Sequence, residues 1–209
     1  MLTELAHLFT QAFPQLDQRG QQQSLKLYQL LSRGKPLSIK TFAESIALSC
    51  EETETLLATW SGVSFDKKHC INAFWGISTS PTAHSFRLNN QTLYTWCAWD
   101  LLLAAVIYRQ TIQAQTQCPV SKKTISLSLG ENGVEKIQPA SAMITFVKPD
   151  INALKANITG SFCQYVFFVD SETSGKRWQK NHDNGFLLSI DQGFELAKNI
   201  MQTVFKDTQ

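Results

Sequence analysis

"KKTISLSLGENGVEKIQ", residues 122–138, decides the fold class. Ile125, Leu127 and Leu129 alternate with Thr124, Ser126 and Ser128, the period-two pattern of a strand with one buried face. "GENG" turns the chain back, so the stretch predicts a β-hairpin in an antiparallel sheet. Upstream, "HSFRLNNQTLY" (84–94) puts Phe86 and Leu88 on a strand, followed by an Asn-Asn turn into a helix expected over Leu93 to Tyr108. Downstream, "AMITFV" (142–147) and "CQYVFFV" (163–169) read as two more strands, the second too apolar for an exposed edge. Phe194, Ala197, Ile200, Met201 and Val204 fall at helical spacing and predict an amphipathic closing helix capped by Asp191. Strands and helices without regular βαβ alternation imply an α+β fold with antiparallel sheet.

The first third reads differently. "SLKLYQLLSRGKPLSIKTFAESIALSCEETETLLATW" (24–60) predicts three helices, with Gly34 and Pro36 stopping the first, Ser38 capping the second, and Ser49 with Glu52 forming a capping box for the third. "GVSFDKKHCINAFWGI" (62–77) then predicts a short hairpin turning near Asp66 to His69. That is the order of a winged-helix domain. The expected organisation is a winged-helix-like three-helix domain over 1–80 and an antiparallel-sheet catalytic domain with flanking helices over 81–209. A DNA-binding role fits poorly: the would-be recognition helix opens with Glu51, Glu52 and Glu54 and has no Lys or Arg before Trp60, so phosphates would repel it.

Bulk properties narrow the field. The chain has 209 residues, 43% hydrophobic and 17% charged, enough for a substantial core. Net charge is +2, with seven basic and seven acidic residues up to residue 80 and twelve against ten after it, so neither part is a nucleic-acid surface by composition. The longest apolar run, Leu101 to Tyr108, is far short of the roughly 18 residues that span a bilayer. The N-terminus lacks a basic segment and a cleavage site of small residues, so a cytoplasmic address without membrane association is expected. Cys50, Cys70, Cys97, Cys118 and Cys163 are odd in number and widely spaced, which favours free thiols over a disulfide framework. No C-x-x-C or zinc-finger spacing is present. Cys50 and Cys70 read as small buried apolar residues.

"YTWCAWDLLLAAV" (94–106) carries the chemistry. On one helix, Cys97 and Asp100 would share a face about 5–6 Å apart. The helix dipole would favour a thiolate at Cys97. Asp100, hemmed by Trp96, Trp99 and Leu103, would either be held protonated by desolvation or exchange a proton with the neighbouring thiol, and a buried carboxyl that can give up a proton is an acid. The residues alone leave another reading open: Cys97 as a core residue and Asp100 as a polar group satisfied by a backbone N–H.

"TAHSFRLNNQTLYTWCAWDLLLAAVIYRQTIQAQTQCPVSKKTISLSLGENGVEKIQPA" (82–140), with "GSFCQYVFFVDSETSGKRW" (160–178), resembles the alkylmercury lyases, the bacterial organomercurial lyase family. The likeness runs over nearly the whole chain and matches Trp-Cys-Ala-x-Asp, a later Cys, and a Phe-Cys before an apolar segment, in order and spacing. The resemblance implies cleavage of the carbon–mercury bond to a hydrocarbon and Hg(II). By position, Cys97 and Cys163 would be the catalytic mercury-binding thiols, Asp100 the proton-handling acid and a candidate third ligand, and Cys118 a structural cysteine. The chain departs from relatives at "PVSKK" after Cys118 and at Gln164 after Cys163, both beside the catalytic set. The resemblance further implies no required cofactor, small thiols as co-substrate for Hg(II) release, and a mercuric reductase as a partner; the charge balance predicts no nucleic-acid partner. A monomer or weak dimer is expected. Soft thiolates suit mercury, and the apolar surroundings suit alkyl or aryl substrates. The competing class is a thiol-based protein that binds or senses a soft metal without breaking a bond; Asp100 discriminates, because a trap needs no proton donor.

Overall fold

The hairpin over 122–138 is present in the computed structural model, which describes residues 1–208. The helices are α1 (Leu2–Ala12), α2 (Gln18–Leu31), α3 (Ile39–Ser45), α4 (Cys50–Thr59), α5 (Ala98–Tyr108), α6 (Ile151–Ser161), α7 (Glu172–Gln179) and α8 (Ile190–Val204). The strands are β1 (Val63–Phe65), β2 (Ile71–Phe74), β3 (Ile77–Ser78), β4 (His84–Leu88), β5 (Gln91–Thr95), β6 (Ile112–Gln117), β7 (Thr124–Gly130), β8 (Gly133–Gln138), β9 (Met143–Val147), β10 (Phe168–Val169) and β11 (Gly185–Ser189).

Strands β1 to β8 form one antiparallel sheet in the order β1-β2-β3-β5-β4-β6-β7-β8, and β10-β9-β11 form a second. The alternation read from 124–129 is borne out: Ile125, Leu127 and Leu129 are buried, and on neighbouring β6 so are Ile112, Ala114 and Thr116. Helix α5 packs against β4, β6 and β7 of the large sheet and against α8. Every residue from Ala98 to Ala105 is buried, as expected of a helix apolar all round. Each buried leucine of the Leu101–Leu103 run contributes about 1.5–3 kcal/mol of apolar transfer. The architecture is α+β, and no helix among the described residues is long and apolar enough to cross a membrane.

The structure corrects three readings and adds several elements. Leu93 belongs to strand β5, and the helix begins only at Ala98. Asn89 and Asn90 both take positive φ, 48° and 63°, and fold β5 back on β4, where Leu93 and Thr95 turn inward beside Phe86 and His84. The apolar stretch 163–169 is strand only at Phe168–Val169; Cys163–Tyr165 form a 3-10 turn. Its apolar composition reflects burial, which period-two reasoning cannot distinguish from a strand. The cap of α8 is Ser189, paired with Gln192 in a capping box, and Asp191 lies in the first turn. The Ser38 cap, the Ser49–Glu52 capping box and the hairpin at Asp66–His69 all occur as read. Helices α1, α6 and α7 and strands β6 and β11 lie in segments given no element by sequence reading. Strands β1 to β3 continue into the sheet built from residues beyond 80.

Candidate active site

The chain crosses from β5 to α5 at Cys97. Its backbone is extended, its carbonyl accepts from Thr95 Oγ1 at 2.8 Å, and its N–H donates to Asp100 Oδ2 at 3.0 Å. Asp100 thus reaches back to the start of its own helix, as an acidic third residue does in a capping box. The three-residue spacing lets this bond form, and Cys97, as the residue before the first turn, sits at the helix entrance rather than on the helix side.

Cys163 arrives from the opposite direction. It follows Phe162 at the end of α6, and the turn it opens is fastened at two points. Ala98 N–H donates to the Val166 carbonyl at 3.2 Å, joining the turn to the first residue of α5. Thr145 on β9 donates through Oγ1 to the Tyr165 carbonyl at 2.9 Å and accepts from Phe167 N–H at 2.9 Å. Sequence reading passed over Thr145; its only signal was a lone hydroxyl inside the apolar strand "AMITFV".

These bonds bring Cys97 Sγ, Cys163 Sγ and an Asp100 carboxylate oxygen within 4.8 Å of one another, across 66 positions of sequence. Exposure is 0% for Cys97, 5% for Asp100 and 4% for Cys163, so bulk water is excluded. Burial, the Cys163 thiol and the Asp100 carboxylate push the Cys97 thiol well above its ordinary pKa. The dipole-stabilised thiolate expected from sequence is therefore not the resting state: desolvation outweighs the helix end. Contact with Cys97 lowers the Cys163 pKa, but burial and Asp100 prevail and leave it raised. Burial lifts the Asp100 carboxyl to about 7, against hydrogen bonds from Cys97 that lower it. Two protonated thiols and a carboxyl that titrates near neutrality share one dry site.

The other sequence candidates lie elsewhere. Cys118 is buried, donating to Asp170 Oδ1 at 3.5 Å and accepting from Ser121 N–H at 3.4 Å. Cys50 is exposed and Cys70 half-buried, against the expectation that both are buried. Trp99 is core rather than pocket wall: its Nε1 donates to the Gly193 carbonyl at 2.9 Å and its ring packs on Phe9, Phe146 and Phe162. A cavity of about 260 Å³ is lined in part by Trp75, Trp96, Leu154 and Ile158; Trp96 directly precedes Cys97, and none of the three site residues lines it.

An α+β fold that gathers two thiols and one carboxyl into a buried cluster has the donor set of a soft-metal thiol site with an acid beside it. A family model described as "MerB: Alkylmercury lyase" matches residues 77–202. The chain is 26% identical over 174 residues to an alkylmercury lyase of Staphylococcus epidermidis, covering 83% of this chain and 79% of that one. It is 25% identical over 214 residues to an alkylmercury lyase of Bacillus cereus, covering 100% and 96%. Among solved structures it resembles the mercury-bound form of MerB2, with a TM-score of 0.78 at 18% identity over 97% of this chain and 99% of that one, a likeness of fold. The chain belongs to the alkylmercury lyase family.

Proposed function

We propose that this protein is an organomercurial lyase in which Cys97 and Cys163 bind the mercury of R–Hg⁺ and Asp100 moves the proton. The carrying observation is the convergence of those three side chains within 4.8 Å in a buried site. Both thiols start protonated. Mercury replaces the Cys97 proton, which passes to the Asp100 carboxylate. Cys163 sulfur then adds to mercury and its proton leaves. The carbon–mercury bond breaks with its electron pair on carbon, and carbon takes the proton from Asp100. The products are R–H and Hg(II) held by two thiolates, with one proton released overall. Two small thiols exchange onto Hg(II) and return a proton to each cysteine. A carboxyl with a pKa of about 7 both accepts and gives a proton near neutrality, and exclusion of water strengthens each charge interaction.

The same reading covers the finer expectations. No resident cofactor is needed, because the proton and both ligands come from the chain. Mercuric reductase is the proposed consumer of Hg(II), in the cytoplasm. The substrate's organic group approaches from the cavity bordered by Trp75 and Trp96. Among the described residues Met1 and Phe65 are the large apolar side chains that are exposed, which supports a monomer or weak dimer. Residues 1–80 are proposed as a winged-helix-derived scaffold, supported by the order α2, α3, α4, β1, β2, with 81–209 as the catalytic part. A pure soft-metal trap would use the Asp100 carboxyl only as the cap of α5 that its bond to Cys97 N–H makes it, with no need of an acid that titrates near neutrality.

Headspace chromatography for benzene, after mixing the protein with a phenylmercury salt and excess small thiol, tests the proposal. Many turnovers from the wild type and none from Cys97→Ser are expected. Stoichiometric mercury uptake without benzene would sink it.

A further inference from the structure

Gly76, in the turn between β2 and β3, has no part in the chemistry described so far, yet it lies against the acid. Phe74 pairs with Ile77, so Trp75 and Gly76 alone make the turn, with φ of 34° and 87°. Positive φ at both central positions is the two-residue turn geometry that follows the strand twist, and it favours glycine. A second constraint on Gly76 is independent of the first. A Cβ at this position would lie 2.5 Å from Asp100 Cγ, 2.6 Å from Oδ1 and 2.8 Å from Cβ. The glycine backbone itself therefore forms the wall against which the Asp100 carboxyl rests.

That wall is held on several sides. The Gly76 carbonyl accepts from Trp96 N–H at 3.0 Å, tying the turn to the residue before Cys97. Trp75 N–H donates to the Gly62 carbonyl at 3.1 Å, and Trp75 Nε1 donates to the Ser61 carbonyl at 3.0 Å. Beyond the turn, Ile77 and Ser78 pair with Thr95 and Tyr94 on β5, the strand that delivers Cys97. One end of the carboxyl is thus fixed by Cys97 N–H on Oδ2, and the Oδ1 side is closed by the Gly76 backbone.

We propose that Gly76 is a positioning residue for carbon–mercury cleavage: its missing side chain forms the socket that keeps the Asp100 carboxyl turned toward Cys97 and Cys163. This rests on the proposed role of Asp100. An alanine methyl fills the socket and pushes the carboxyl off its bond to Cys97 N–H. Both thiols stay where β5, α5 and Thr145 hold them. Displacing a reacting group by about 1 Å costs on the order of 100-fold in rate.

The test is a double-mutant cycle of wild type, Gly76→Ala, Asp100→Asn and Gly76→Ala/Asp100→Asn, read in two ways. Mercury capture is followed by titrating the protein with phenylmercury, and cleavage by single-turnover benzene release from the captured species. Gly76→Ala is expected to keep capture within about twofold while slowing release roughly 10- to 100-fold, and to slow release no further in the Asp100→Asn background. Wild-type release from Gly76→Ala, or an equal loss in both backgrounds, overturns the proposal. If Asp100→Asn itself releases benzene at the wild-type rate, the role given to Asp100 fails first and the socket has nothing to position. Should Gly76→Ala be insoluble, Gly76→Ala/Asp100→Ala decides: recovery of soluble protein once the carboxyl is gone supports the socket, and continued insolubility assigns the defect to backbone strain and overturns it.

Discussion

Replacing Asp100 by Asn should make the protein more stable at alkaline pH while removing its cleavage activity. The carboxyl has an ordinary pKa of 3.8 and is raised to about 7 in the fold, chiefly by burial. Between those values the unfolded chain has lost a proton that the native state keeps, so stability falls as pH rises. The contribution is fully present below about pH 4 and lost as pH climbs through about 7. At 1.36 kcal/mol per pKa unit, the native state above pH 8 bears a cost of up to about 4 kcal/mol for its buried charge. Asn keeps an oxygen for the Cys97 N–H now bonded to Oδ2, and carries no charge to desolvate. Its stability should therefore exceed that of the wild type by about 2–4 kcal/mol at pH 8.5, the gap closing as pH approaches 4. Urea unfolding of both proteins under reducing conditions, from pH 4.5 to 8.5, measures the gap directly. Both site thiols have raised pKa values and remain protonated in the native state over this range. Benzene release should fall about 10²- to 10⁴-fold, the usual worth of a positioned acid. A variant less stable than wild type at pH 8.5 would refute the reasoning, because the carboxylate would then be an anchor rather than a desolvated acid.

Cys118→Ser should lower stability by about 1–3 kcal/mol, by disturbing the bonds that the fully buried Cys118 thiol makes with Asp170 and Ser121, and leave turnover of the folded fraction near wild type; a stable but inactive variant would contradict this. His84 is buried, shares a 3.0 Å hydrogen bond between Nδ1 and Thr116 Oγ1, and has its pKa lowered by burial to about 4. Its neutral form is the native one, so stability is lost as pH falls from about 6.5 toward 4, by up to about 3 kcal/mol. His84→Gln should flatten that loss in urea unfolding between pH 4.5 and 7, and an unchanged slope would refute it.

Features that depend on local periodicity and local chemistry are legible in the chain alone. Alternation along 124–129, the Ser49–Glu52 spacing and the amphipathic pattern of 194–204 each specify an element because the relevant neighbours lie within a few residues. Cys97 and Asp100 were legible as a pair for the same reason, and the resemblance to alkylmercury lyases added Cys163. Tertiary structure decided where the helix begins, because Leu93 and Tyr94, which could have opened the helix, are drawn into strand pairing of Gln91–Thr95 with β4. It decided the protonation of the thiols, since burial depends on α5 being enclosed between the large sheet and α8. It also supplied the two contacts invisible in any window of sequence: Thr145 fastening the turn after Cys163, and the backbone of Gly76 against the Asp100 carboxyl. Both join residues at least 20 positions apart, so their energies depend on how sheets and helices pack, a property no short stretch of the chain contains.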